Sequence, residues 1–168
     1  RINPVQLNYL AAAEQGNAVA QRKLGICFQD GAGVLKSPQE ACYWYQQAAA
    51  QNDAEAQKRL GNCYDFGSGV PQNDTLAMHW YHKAAEQGHV LAQLALGYEN
   101  GQGVPQDYSA ALHWYRQSAE QGDVDAQFTL GWYYEIGQSV TQSYVEALRW
   151  YNASAAQGYS MAQFRAGC

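Results

Sequence analysis

Three carboxylates return at one place in the chain. Asp65, Glu99 and Glu135 each stand two residues before a glycine, at Gly67, Gly101 and Gly137. Paired carboxylates do general acid–base work, and equivalent residues on packed helices lie about 8–10 Å apart, a gap an inverting glycosidase can use. Nothing else in the chain supports that chemistry. In the last turn of a helix each carboxylate opposes the helix dipole, at a cost of about 0.3–1 kcal/mol. Pairing with a basic ligand accounts for that cost, and so does a shared habit of the sequence. His79, His82 and His113 form a second candidate set. Zinc needs three or four ligands converging at about 2 Å, and no cysteine or further histidine joins these three, so they read as a solvated face. Cys27 and Cys63 share a column, and Cys42 lies across a Gly-rich turn from Cys27. A Cys27–Cys42 bridge is conceivable; the favoured reading makes all four cysteines, Cys168 included, small core residues. There is no Ser-His-Asp pattern and no phosphate loop. No catalytic residue, metal site or cofactor is therefore assigned.

What positions these side chains is a repeat. Trp-Tyr occurs at Trp44-Tyr45, Trp80-Tyr81, Trp114-Tyr115 and Trp150-Tyr151, a period of 36, 34 and 36 residues. Leu-Gly keeps the same rhythm at Leu24-Gly25, Leu60-Gly61, Leu96-Gly97 and Leu130-Gly131, as do the Gly-rich turns that end in Val34, Val70, Val104 and Val140. A period in this range marks a solenoid whose units bury their apolar faces against their neighbours. The Trp-Tyr pairs keep register with core alanines, so they read as framework rather than as an aromatic box.

Each unit predicts two helices. Ala56, Leu60 and Tyr64 recur at i, i+4 and i+8 and form one stripe of the first helix, which stops at Gly67-Ser68-Gly69. Gly61 beside that stripe costs about 1 kcal/mol against alanine, which close approach of a neighbouring helix would offset. Val70 then anchors the turn, Asp74 or Thr75 caps the second helix, and Ala77, Tyr81, Ala84 and Ala85 form its inner face. Gly16, Gly88, Gly122 and Gly158, with Asn52, close the second helices. The expected layout is a single array: an orphan helix at 4–15, units at about 18–52, 54–88, 90–122 and 124–158, and an unfinished unit at 160–168. Between Gly97 and Gly101 the third unit has three residues where the second has five. Two residues lost from a helix turn the rest of it by about 200°, so a kinked or shortened helix is expected there.

The chain has 168 residues, 47% of them hydrophobic, and a net charge of −5. No basic stripe suits nucleic acid, and no apolar run approaches the ~18 residues that membrane insertion needs. Sequons at Asn73 and Asn152 are short enough to arise by chance. The start at Arg1 and the end at Cys168, part-way through a unit, are expected of a trimmed or processed piece.

The run Ala-Gln-x-x-Leu-Gly, then Tyr-x-x-Gly-x-Gly-Val, then Ala-x-x-Trp-Tyr-x-x-Ala-Ala resembles the Sel-1-like repeat, a relative of the tetratricopeptide helix pair. The second unit carries it at Ala56-Gln57, Leu60-Gly61, Tyr64, Gly67, Gly69-Val70, Ala77, Trp80-Tyr81 and Ala84-Ala85. Asn8 in place of tryptophan, Ser139 in place of a turn glycine and the short third unit depart from it. The resemblance implies an all-α fold, an α-solenoid of antiparallel helix pairs stacked into a right-handed superhelix. It also implies an adaptor role, in a bacterial setting that includes periplasmic, secreted and host-interaction proteins. A cysteine-rich branch is associated with β-lactam binding or hydrolysis. It carries a regular cysteine pair in each repeat, which this chain lacks, so a cell-wall or β-lactam hydrolase is kept only as the alternative.

By analogy with tetratricopeptide arrays the first helices line a concave face, and function belongs to its positions that vary between units. Arg22, Lys58, Asn62 and Asp65 make its polar part. Leu91, Leu94, Tyr98, Phe128 and Trp132, with Glu135 at the edge, make its apolar part. The expected ligand is a protein or peptide, with no nucleic acid and no small-molecule cofactor; one version is a secreted bacterial enzyme or toxin held in sequestration.

Overall fold

The computed structural model describes residues 4–167, with side chains from Leu7 onward. Cys168, where the unfinished unit was expected to end, lies outside the described residues, as does Arg1. Among the described residues there are ten α-helices and no strand. They fall into two compact halves, divided after Val90.

The first half holds α1 (Pro4–Glu14), α2 (Ala18–Asp30), α3 (Pro38–Ala50), α4 (Ala54–Phe66) and α5 (Asp74–Glu86). Asn17 and Asp53 cap α2 and α4 by accepting the backbone N–H of Ala20 and Ala56. Ser37 and Asn73 do the same for α3 and α5. The cap of α5 is thus Asn73 rather than Asp74 or Thr75. Its Oδ1 accepts the Leu76 N–H at 3.0 Å, the reach that a capping side chain needs, and Asp74 is left in the first turn, where the dipole favours a carboxylate. Gly31 and Gly67 end α2 and α4 in the left-handed conformation. A side chain at Gly69 would collide with the Pro38 carbonyl, so glycine there is a steric requirement. The core of this half runs through Ala41, Tyr45, Ala48, Ala49, Ala56 and Leu60, with Val70 and Trp80 packed against it.

The second half holds α6 (Leu91–Asn100), α7 (Tyr108–Glu120), α8 (Val124–Ile136), α9 (Tyr144–Ala156) and α10 (Ser160–Ala166). Asp107, Asp123 and Ser143 cap α7, α8 and α9. Ser139, at the position of the turn glycines, adopts a positive φ of 56°.

α6 is the short helix that the missing residues predict, with 10 residues against 13 in α2, α4 and α8. The residues are missing from its start, not from the stretch after Gly97. Leu94 is fully buried, like Leu24, Leu60 and Leu130, while Leu96 is 48% exposed. Leu94-Ala95 therefore occupies the Leu-Gly column, and Leu96-Gly97 only resembles it. The cause is local: α6 is anchored at its C-terminal end by the repeated spacing to Gly101 and Gly103, so the deletion is absorbed at the free N-terminal end. There Val90 takes a positive φ of 51° and the helix begins one residue later.

Candidate partner-binding site

In each repeat the second helix sends a buried tyrosine hydroxyl to the end of the first helix. Tyr45 donates to Gln29 Oε1 at 2.7 Å, and Tyr81 donates to Asp65 Oδ2 at 2.9 Å and Asn62 Oδ1 at 2.7 Å. Tyr115 donates to Glu99 Oε2 at 2.8 Å, and Tyr151 donates to Glu135. The carboxylates before the Gly-rich turns thus serve the fold: each accepts a phenol that would otherwise be buried without a partner. Burial raises these phenols above the ordinary tyrosine pKa, and the carboxylates of Asp65, Glu99 and Glu135 push Tyr81, Tyr115 and Tyr151 further up. Tyr45 has the neutral Gln29 as its acceptor and Arg59 beside it; burial still raises it to about 12, with Arg59 acting in the opposite direction.

The same tyrosines explain the helical glycines. A Cβ at Gly61 would stand 2.5 and 2.6 Å from the Cε1 and Cδ1 of Tyr81, and Gly25 and Gly131 meet Tyr45 and Tyr151 in the same way. The close approach expected from the sequence is real, and its agent is a ring.

The structure sorts the ten expected contact residues into three groups. Lys58, Phe128 and Trp132, together with Asn62, whose Oδ1 accepts the Tyr81 hydroxyl, are each partly exposed. Lys58 pairs with Glu55 at 3.7 Å, and Phe128 rests its ring against Tyr151 and Tyr159 at centroid distances of 5.4 and 5.1 Å. Trp132 is 37% exposed and stands edge-on to Tyr133. A second group is only half-exposed and already engaged. Arg22 pairs with Asp53 at 3.0 Å, Asp65 holds Tyr81, and Glu135 holds Tyr151 and Arg165, the latter at 2.7 Å.

The third group is corrected. Leu91 and Leu94 are core, 3% and 0% exposed, and cannot meet a partner. Tyr98 packs against the core of the second half, in the column of Phe28, Tyr64 and Tyr134. All three errors have one source, the register of α6. With the helix set from its C-terminal end, Ala92 is the counterpart of Phe128 and Leu96 that of Trp132, 36 residues earlier in each case. The varying outward column therefore reads Ile26, Asn62, Leu96 and Trp132.

His79 and His113 stand edge-on to Trp80 and Trp114, and His82 faces Glu86 at 3.9 Å. Among the described residues no group of three or more His, Cys, Asp or Glu side chains could hold a metal. Cys27, Cys42 and Cys63 are free thiols. Cys42 and Cys63 are buried, and the Cys42 thiol donates to the Ser68 carbonyl at 2.8 Å, whereas Cys27 is partly exposed.

Sequence reasoning missed a ladder of amides. Gln21, Gln57 and Gln127 are buried and donate to the carbonyls of Ala13, Ala49 and Ala119 at 3.1–3.3 Å. Each also accepts from the glutamine that ends the next second helix, Gln51, Gln87 or Gln157, at 2.8–2.9 Å. Their signal was the recurring Ala-Gln at 20–21, 56–57 and 126–127. In α6 the counterpart is Leu91, which fills the position without the bond.

Antiparallel helix pairs at one period, each with a buried tyrosine held by the end of the first helix, define an all-helical solenoid repeat protein. The Sel1 repeat pattern matches residues 18–53, 54–89, 90–123 and 124–159. The chain belongs to the Sel1 repeat family, whose members generally act as non-catalytic scaffolds for protein–protein interaction. Among solved structures it is similar to a protective antigen of uropathogenic Escherichia coli, with a TM-score of 0.94 and 38% identity, over 96% of this chain and 35% of that one. It is also similar to a Sel1 repeat protein from Oxalobacter formigenes, with a TM-score of 0.82 and 37% identity over 92% and 64% of the two chains. An immunity protein from Pseudomonas aeruginosa is similar at a TM-score of 0.54 and 27% identity, over 95% and 60%. The chain thus spans about a third to two thirds of the length of these structures. No match was found among the curated proteins. Among the described residues no helix is long and apolar enough to cross a membrane.

Proposed function

We propose that this chain binds a protein or peptide partner along the outward side of its first helices, the face that the analogy with tetratricopeptide arrays makes concave. The observation that carries the reading is Trp132. It is a large aromatic, 37% exposed, at a position that is Ile26, Asn62 and Leu96 in the other repeats. Framework demands hold the buried columns Leu24, Leu60, Leu94 and Leu130 and Tyr45, Tyr81, Tyr115 and Tyr151 constant, whereas this column varies and carries an exposed tryptophan, which leaves it free for recognition. Leu96 and Phe128 extend the apolar part in the second half. Lys58 and Asn62 give the first half a polar part that sets orientation and encounter rate. The likeness to an immunity protein supports a partner that is a secreted bacterial enzyme or toxin held in sequestration.

The test is affinity capture from the source cell, with the retained protein identified and its affinity measured by calorimetry. Trp132→Ala is expected to weaken binding at least about tenfold, since truncating a buried aromatic anchor commonly costs about 2 kcal/mol or more. Its melting temperature should hardly move. Unfolding of Trp132→Ala would make the residue core, and loss of binding on His79→Ala and His113→Ala instead would place function on the second helices.

A further inference from the structure

A cavity of about 280 Å³ lies beneath Tyr45 in the first half, walled by Gln29, Ala41, Tyr45, Arg59, Cys63 and Phe66. Phe66, 74% exposed, forms its rim. The repeat supplies an internal reference for what such a space holds. Seventy residues further on, the same positions are Glu99, Ala111, Tyr115, Thr129, Tyr133 and Ile136. There the side chain in the Cys63 position is a tyrosine, and it is fully buried. The Tyr133 ring lies 5.9 Å from that of Tyr115, and its hydroxyl donates to Glu99 Oε1 at 3.2 Å. Tyr115 and Glu99 are the counterparts of Tyr45 and Gln29, two walls of the cavity. In the second half, then, a phenol stands over the tyrosine ring; in the first half the Arg59 guanidinium stands over the Tyr45 ring, 5.9 Å from its centroid, and the cavity opens beside it because the thiol of Cys63 is too short to fill the space.

We propose that the cavity beneath Tyr45 is an aryl-binding site that takes a phenol, presented by a tyrosine side chain of the partner. Size permits it, since a cavity of roughly 150 Å³ already accommodates benzene. Polarity fits as well. Glu99 offers two acceptor oxygens and receives two phenol hydroxyls, from Tyr115 and Tyr133. Gln29 uses Oε1 to accept from Tyr45 at 2.7 Å and from Arg59 at 3.5 Å, and keeps an amide NH₂ to donate. An incoming phenol oxygen is therefore recognised as an acceptor, by that amide and by the Arg59 guanidinium, whose charge Glu55 balances at 2.9 Å. A neutral phenol suits this balanced setting.

The proposal rests on the partner-binding reading only for the source of the tyrosine; the cavity is tested without any partner. The ¹⁵N-labelled chain is titrated with p-cresol, and separately with the peptides acetyl-Gly-Tyr-Gly-amide and acetyl-Gly-Ala-Gly-amide, with amide shifts read by NMR. Saturable shifts are expected at Gln29, Tyr45 and the segment from Asn62 to Ser68, with p-cresol and the tyrosine peptide but not with the alanine peptide. Cys63→Tyr, whose own ring would occupy the space, should weaken p-cresol binding at least tenfold, while Cys63→Ser leaves it within twofold. Should Cys63→Tyr fail to fold, Arg59→Met keeps the Gln29 acceptor of Tyr45 and removes the guanidinium donor, and should weaken p-cresol at least threefold relative to toluene. Shifts scattered over the surface, or p-cresol binding indifferent to both variants, would overturn the site. Binding of p-cresol without the tyrosine peptide would overturn the partner tyrosine as its occupant. Loss of the Trp132 effect on partner capture bears on the partner-binding face and leaves these titrations unchanged.

Discussion

One tyrosine ring accounts for two residues of the helix it packs on, a glycine inside the helix and a polar side chain near its end. Tyr81 lies over Gly61 and places its hydroxyl on Asp65 and Asn62. The glycine was legible in the sequence as a cost needing a cause, because a helix interior disfavours it by about 1 kcal/mol. The ring that is the cause could not be read, since Tyr81 stands twenty residues away and only packing brings it there. Gly61→Leu is expected to destabilise by about 1–3 kcal/mol or more, because the added side chain must displace a buried ring. Thermal melts monitored by circular dichroism measure this. A raised melting temperature would show that the ring moves aside and that helix propensity decides the outcome.

At the scale of the element, α6 shows how a motif can mislead. Leu96-Gly97 matches Leu60-Gly61 letter for letter, yet Leu94 fills the core and Leu96 faces out. The cap of α5 fell on Asn73 and not on the expected Asp74 or Thr75, whereas helix existence and the helix stops came from glycines at fixed places, which act within a few residues. Register did not, because a two-residue deletion can be placed at either end of a helix and only the packing of Tyr98, Leu94 and Leu91 selects one. Leu94→Ala is accordingly expected to cost about 2–5 kcal/mol, as large-to-small core changes do, and Leu96→Ala no more than about 0.5 kcal/mol. Urea denaturation of the two variants compares them directly. The reverse order would return α6 to the register of its Leu-Gly pair.

For the molecule as a whole, five buried tyrosines, Tyr45, Tyr81, Tyr115, Tyr133 and Tyr151, link folding to alkaline pH. Burial raises each above the ordinary value of about 10. The folded state therefore favours the neutral phenol. That contribution to stability is complete below about pH 10 and is lost as pH rises through the folded values, about 12 for Tyr45 and higher for the other four. Tyrosinate absorbance at 295 nm should thus rise in two phases. The five buried tyrosines ionise late, together with the loss of the far-ultraviolet helical signal. Ionisation of all thirteen tyrosines in one phase near pH 10, with the helical signal intact, would contradict the buried network. The sequence by itself determined the helical repeat, its period, its turns and its family, because these arise from short-range rules that recur four times and reinforce one another. Tertiary structure alone decided which residues face outward in α6, what the carboxylates hold, and that a cavity opens where Cys63 replaces a tyrosine. Each of these depends on volumes and partners that meet only when helices distant in sequence pack together.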